Sequence, residues 1–231
     1  MQTRYRGLAA LFGCLALLAS SAAADNWNFF DGKFGIGQKG SGNLETEERS
    51  VEPFTAIDMS IGADVIITIG SPQKLSVTID DNLLDNIKTR VRGKTLEIEA
   101  RGSFSSRKNC VIEITVPSLE EIDISGSGEI TLNNLDAKEF TFDMSGSGSF
   151  EASGKVEQLF IELSGSGKID TRDLIAQDVE VDISGSGSAV VYAANSLDGD
   201  ITGSGEIKYV NEPEHVSTRV TGSGSIDRAK R

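Results

Sequence analysis

The chain is poor in the residues that usually carry chemistry. It has a single histidine and only two cysteines, Cys14 and Cys110, among 231 residues. It is also short of positive charge, with 22 lysines and arginines against 35 aspartates and glutamates, a net charge of −13. The acidic balance argues against nucleic acid, whose phosphates reward a basic surface, and against unassisted adhesion to anionic lipid. Two cysteines, one of them close to the N-terminus, leave no intramolecular disulfide framework. Cys110 opens the alternating run "CVIEITV" on the same side as Ile112, Ile114 and Val116, which reads as a buried structural thiol rather than a reactive one. His215 lies between acids in "NEPEHVS", without a nucleophile nearby, and reads as an exposed loop residue. Beyond the first 24 residues no stretch is apolar enough to cross a membrane as a helix.

Those first residues read as a processing segment. Arg4 and Arg6 precede the apolar run "LAALFGCLALLAS", and Ala22, Ala23 and Ala24 offer a small-residue cleavage site before Asp25. That pattern is a secretory signal peptide over 1–24. The apolar run continues past Cys14 to Leu18, which disfavours lipidation at that cysteine. Cleavage would export the chain to the periplasm, cell surface or medium.

Against this scarcity stands one abundance. The tetrapeptide Ser-Gly-Ser-Gly starts at Ser125, Ser145, Ser164 and Ser184, and returns with threonine leading at Thr202 and Thr221, at intervals of 20, 19, 20, 18 and 19 residues. A linker composition recurring on such a schedule marks a repeat architecture. In the first copy Ile122, Ile124, Gly126, Gly128, Ile130 and Leu132 share one parity, while Asp123, Ser125, Ser127 and Glu129 share the other. A period of two held through six copies is a strand signal, with glycines facing inward and serines outward. Glycine inside a strand marks a bend or a close approach of backbone, and the pattern leaves open which.

After Leu132 the apolar phase slips by three to Leu135, runs to Ala137, and slips again to Phe140; each slip predicts a corner. One coil of about 19 residues therefore holds a long strand, a corner, a short strand and a corner. A coil of this size buries its apolar face only by stacking. The fold expected is all-β, a right-handed parallel β-helix or β-solenoid of about 19-residue coils. Residues 25–43 read as a glycine-rich arm and 44–231 as one domain. Within it, 44–116 form irregular strands or a cap, with a helical turn in "DDNLLDNI" capped by Asp81 or Asn82, and 117–227 form the regular coils. At the C-terminal end Asp227, Arg228, Lys230 and Arg231 predict an edge whose charges discourage edge-to-edge aggregation.

The outward positions are the candidate sites. Two residues before each tetrapeptide stand Asp123, Asp143, Glu162, Asp182 and Asp200, with Arg219 in the sixth copy. If the coils stack in register, these carboxylates form a column at about 4.8 Å spacing. Such a column would attract calcium weakly or a lysine-rich partner, or remain a solvated acidic face; no cofactor is otherwise indicated. Two hydroxyl columns run beside it, Ser125, Ser145, Ser164, Ser184, Thr202, Thr221 and Ser127, Ser147, Ser166, Ser186, Ser204, Ser223. Small residues are needed where backbone bends. The same face could also meet a second copy, a glycan, or ice in the manner of threonine-ladder solenoids. No "GSG" has the helix and lysine of a phosphate-binding loop.

"GSGN" at Gly40, "VEPFTAIDMSIGADVIITIG", "LSVTIDDNLLDNIKTRV", "GKTLEIEA", "ITVPSLEEIDISGSGEI" and the later Ser-Gly-Ser-Gly rungs together resemble the head GIN domain family, bacterial envelope proteins labelled auto-transporter adhesins. The resemblance spans about residues 40 to 227. It implies a β-helical fold in an exported protein and little about activity; taken with the six-copy ladder it leads to the expectation of an adhesin-like surface module, without a catalytic site, for an envelope protein, a glycan or a further copy of itself. It does not extend to self-transport, since no series of lipid-facing barrel strands is visible in the sequence. The competing expectations are a carbohydrate-active enzyme of the β-helix class and a purely structural envelope protein.

Overall fold

The computed structural model describes residues 37–229. The signal-peptide reading and the first part of the arm, residues 25–36, lie outside the described residues. The chain runs through β1 (Gln38–Lys39), β2 (Leu44–Glu48), β3 (Ala56–Met59), β4 (Asp64–Ile69) and β5 (Lys74–Asp80), then a 3-10 helical turn (Asp81–Asn86). β6 (Ile87–Arg92), β7 (Thr95–Ala100), β8 (Phe104–Ser105), β9 (Val111–Val116) and β10 (Glu121–Gly126) follow. The coils proper are β11 (Glu129–Gly146), β12 (Ser149–Gly165), β13 (Lys168–Gly185) and β14 (Ser188–Gly203), ending in β15 (Glu206–Tyr209), β16 (His215–Gly222) and β17 (Ser225–Arg228). Together they form a β-solenoid of about five turns.

Stacking is parallel and in register. β10, β11, β12, β13, β14 and β16 pair in succession, so that Ser125, Ser145, Ser164, Ser184, Thr202 and Thr221 lie one above another. The apolar parity points inward throughout. Ile122, Phe142, Ile161 and Val181 stack in one buried column and Ile124, Met144, Leu163 and Ile183 in the next. Across the core Phe142 lies flat on Phe150, ring centroids 3.7 Å apart at 7°. The first phase slip of the coil falls at an irregularity of register, between Leu132 and Leu135 in one coil and between Glu151 and Ser153 in the next. Across the second slip β11 and β12 stay in register, from Ala137 on Val156 to Phe140 on Leu159.

The two glycines of each tetrapeptide do different work. Gly165, Gly185, Gly203 and Gly222 have φ of 128° to 131°, a conformation side chains rarely adopt, and there the strand turns its corner. The second glycine allows close approach: a Cβ on Gly187 would lie 2.4 Å from Leu163 Cδ2, and one on Gly205 2.7 Å from Ile183 Cγ2. The ladder is not interrupted at the bend. Ser166 and Ser186 N–H donate to Gly146 and Gly165 O at 3.0 and 2.8 Å, and Lys168 and Ser188 N–H to Gly148 and Gly167 O at 2.9 and 3.0 Å. Close approach is therefore present at both glycines, since a Cβ on Gly185 would also lie 2.4 Å from Gly165 O, whereas the bend belongs to the first alone.

Residues 44–116 supply further rungs. β3 stacks under β10 and on β7, and β4 lies between β11 and β9, all in parallel. Beyond them the direction reverses: β6 is antiparallel to β7, and β5 to both β9 and β2. Arg49 closes this end, its guanidinium donating to Ile87 O at 2.5 Å and Leu84 O at 2.9 Å. Residues 37–43 are fastened alongside. β1 pairs with β8, and Gly42 N–H donates to Asp80 Oδ1 at 2.6 Å. The helical turn expected in "DDNLLDNI" forms, but its N-cap is Asp80 rather than Asp81 or Asn82, and the Asp80 side chain makes no capping bond. It is held by the Gly42 amide instead.

Candidate functional site

Strand alternation aims every second residue of β10 to β14 outward, and register turns each such position into a column. Asp123, Asp143, Glu162, Asp182 and Asp200 pair rung to rung as the spacing predicted. Two carboxylates that the repeat did not reveal extend the column. Asp123 stacks on Asp58 of β3, and Asp58 on Glu97 of β7. The signal was present in parity: "AIDM" and "LEI" set an acid between inward apolar residues as "EIDI" does, but without a tetrapeptide to mark it. Each end of the column is neutralised by arginine. Arg90 Nε lies 2.5 Å from Glu97 Oε2, and Arg219 Nη1 lies 3.7 Å from Asp200 Oδ2.

Seven acids in line raise the cost of charging those in the middle. Asp58, Asp143 and Asp182 have carboxyls held above the ordinary range, first by partial burial and then by neighbouring acids: Asp123 and Glu97 for Asp58, Glu162 and Asp123 for Asp143, Asp200 and Glu162 for Asp182. These acids form a line and not a cage. Among the described residues no three histidine, cysteine, aspartate or glutamate side chains converge as metal ligands.

Beside this column a second outward one carries Glu121, Thr141, Phe160, Glu180 and Asp198. Half-buried Phe160 is the floor of a shallow hollow of about 400 Å³, walled by Asp143, Glu162, Glu180 and Asp182. A third column holds Glu139, Gln158, Asp178 and Ser196. In it Asp178 accepts hydrogen bonds from Ser196 Oγ at 2.5 Å and Asn195 Nδ2 at 2.8 Å, which hold its carboxyl below the usual range.

The hydroxyl columns flank the bend. Ser125, Ser145, Ser164, Ser184, Thr202 and Thr221 are all exposed, and so are Ser127, Ser147, Ser166, Ser186, Ser204 and Ser223. The positive-φ glycine between the two serines of each pair turns the chain, so the columns run along the two sides of one corner. His215 opens β16 and is exposed beside Ser196; it is a strand residue rather than the loop residue expected. Cys110 is 5% exposed, and burial pushes its thiol up to about 11. No helix among the described residues is long and apolar enough to cross a membrane.

The family model described as "Putative auto-transporter adhesin, head GIN domain" matches residues 53–213. Three solved structures are similar. A "putative adhesin" from Bacteroides fragilis NCTC 9343 is 24% identical with a TM-score of 0.65, the match covering 84% of this chain and 100% of that one. A "putative lipid binding protein" from Parabacteroides distasonis ATCC 8503 is 29% identical with a TM-score of 0.57, covering 83% and 99%. A "putative adhesin" from the same organism is 21% identical with a TM-score of 0.55, covering 83% and 99%. No curated protein matches the chain.

Proposed function

The chain belongs to the head GIN domain family, and from that premise we propose that it is an exported, adhesin-like module that binds through its outer face and performs no chemistry. The observation that carries the reading is the geometry of that face: long outward columns of like side chains, carboxylates beside exposed hydroxyls, at rung spacing. A periodic polar face of this kind suits an extended partner, a glycan or an envelope protein, that makes many weak contacts in series. Glycoside chemistry asks instead for carboxylates facing one another across a substrate. Here they stand along one line.

The test is retention on a glycan array and in a pull-down from envelope extract, with the parent chain against a Ser164→Tyr, Ser184→Tyr variant that obstructs the hydroxyl column at exposed positions. The reading expects a retained glycan or envelope component and its loss in the variant. Absence of any retained partner would favour a purely structural role, and appearance of new reducing ends in the glycan would favour an enzyme; either outcome overturns it.

A further inference from the structure

The two ends of the solenoid are finished differently. Antiparallel strands and Arg49 close the N-terminal end, whereas at the other end all eight residues of β16 are exposed, and Val216 and Val220 are 47% and 41% accessible. These two valines continue the inner columns of Leu197 and Ile201. They are core residues with nothing stacked on them among the described residues. Among the described residues β16 pairs only with β14 and β17 only with β15, so each leaves one row of backbone groups unpaired there.

Which residues carry the free row follows from the ladder. Ser223 N–H donates to Gly203 O at 2.8 Å and Ser225 N–H to Gly205 O at 3.1 Å. In a parallel sheet alternate residues bond to opposite neighbours. The odd-numbered residues of β16 therefore point their backbone groups back at β14, while Val216, Thr218, Val220 and Gly222 point theirs outward. By the same alternation Ile226 presents its groups on the open side of β17.

We propose that this last rung is a self-pairing interface, through which two copies join end to end about a two-fold axis. In the pairing β16 lies antiparallel on the partner's β16 with Thr218 on the axis, and β17 on the partner's β17 with Ile226 on the axis. In that register the free groups meet each other, Thr218 with Thr218 and Val216 with Val220, and inward side chains face inward side chains. Charge selects the same register. Arg219 falls opposite Ser217 and Asp227 opposite Ser225, whereas a shift of the axis by one residue to Arg219 would set two arginines face to face.

An independent contact supports a single axis through both strands. Thr218 stacks on Gly199, and a Cβ on Gly199 would lie 3.3 Å from Ile226 Cδ1. Thr218 and Ile226 therefore stand across the core from one another, where one axis can pass through both. Of the charges read from the sequence as a guard against edge pairing, Lys230 and Arg231 lie outside the described residues, and Arg228 is turned to Glu212 in an ion pair. An eight-residue strand spans about 26 Å and facing sheets lie about 10 Å apart. With side chains included, the two end plates would bury on the order of 1,000 Å² in total, the lower bound of specific association, which fits a dimer that dissociates on dilution.

Sedimentation velocity of the full chain from about 1 to 300 μM tests the mass, with Thr218→Cys in a Cys14→Ser background as the geometric test. Paired residues of this type have Cα atoms about 5.5 Å apart, within disulfide range. A concentration-dependent dimer, its crosslinking by mild oxidation at Thr218→Cys and not at Thr202→Cys, and a roughly tenfold or greater loss of affinity in Val220→Lys are the results expected. Val220 is already exposed, so circular dichroism of that variant should be unchanged. A monomer at every concentration overturns the proposal, as does a dimer that Thr218→Cys does not crosslink or that Val220→Lys leaves intact.

Discussion

Replacing Asp143 by asparagine should make the protein more stable. The side chain stands between Asp123 and Glu162 in the acidic column and makes no ion pair among the described residues. At a rung spacing of about 4.8 Å each like-charge neighbour costs about 0.9 kcal/mol in water, so the two together cost about 1.7 kcal/mol. Screening over a Debye length of about 8 Å at physiological salt roughly halves this. The expected gain is thus about 1 kcal/mol, or ~2–4 °C in Tm for a chain of this size. Its pH dependence has a definite sign. The carboxyl is raised above its ordinary 3.8 in the fold, by partial burial and then by Glu162 and Asp123, so the native state holds that proton more tightly than the unfolded chain. Repulsion is absent while both states are protonated and grows as pH rises through the native value. Scanning calorimetry of the parent and Asp143→Asn at pH 7 should show the gain in low salt, its shrinkage in 1 M NaCl, and its near disappearance at pH 3. A variant no more stable at pH 7, or a gain indifferent to both salt and pH, would refute the electrostatic account and leave amide hydrogen bonding along the column in its place.

Other substitutions separate the roles assigned above. Gly185→Ala combines a φ of 128° with a Cβ placed 2.4 Å from Gly165 O, and neither can relax without moving a rung; a loss of about 3 kcal/mol or more is expected from denaturant titration. Gly167→Ala meets the sulfur of Met144 at 2.6 Å, a flexible side-chain atom, and should cost clearly less; equal losses would contradict the assignment of the bend to the first glycine. Phe150→Ala removes a ring stacked on Phe142 at the core and should cost about 3–5 kcal/mol. In a Cys14→Ser chain the Cys110 thiol, buried and pushed up to about 11, should stay silent to a thiol reagent at pH 8 until denaturant is added. Calcium titration calorimetry should give no saturable heat below the millimolar range, because the column offers one ligand per rung; tight binding that Asp143→Asn with Asp182→Asn abolishes would show a seat the geometry does not provide.

The coils were legible because a repeat carries its own register. Once Ser125, Ser145 and Ser164 are aligned, every inward and outward position follows by parity, and the acids two residues earlier fall into line without any knowledge of contacts. Legibility ended where the tetrapeptide ended. β3, β4, β7 and β9 are rungs of the same stack, yet their corners are built from unlike residues, so Asp58 and Glu97 stood in the sequence as ordinary alternating acids. Their columns are fixed by long-range pairing, Asp58 with Asp123 across 65 residues of chain, which local periodicity cannot encode. The division of labour between the two glycines was hidden for a different reason. Both have the same parity and composition and both lie close to the neighbouring rung, so only the backbone dihedral distinguishes them.

A stack of near-identical coils has a further consequence. Where a rung repeats the residue beneath it, as in the acidic and hydroxyl columns, a favourable outward side chain is multiplied, and so is an unfavourable one. The arginines at Arg90 and Arg219 are where that rule stops. Each sits beside an end of the column, where a further acid would add another repulsion, and Arg219 occupies the acid's own position in the sixth copy of the repeat. The change of sign at Arg219 coincides with the exposure of Val216 and Val220, so the rung that breaks the charge pattern is also the rung that leaves the core open. Had the sixth copy kept an aspartate there, two ends brought together about Thr218 would have carried two acidic columns toward each other. With arginine at that position each end plate instead presents a cation beside Asp200, the last acid of its column, which removes the acid-to-acid approach from an end-to-end pairing.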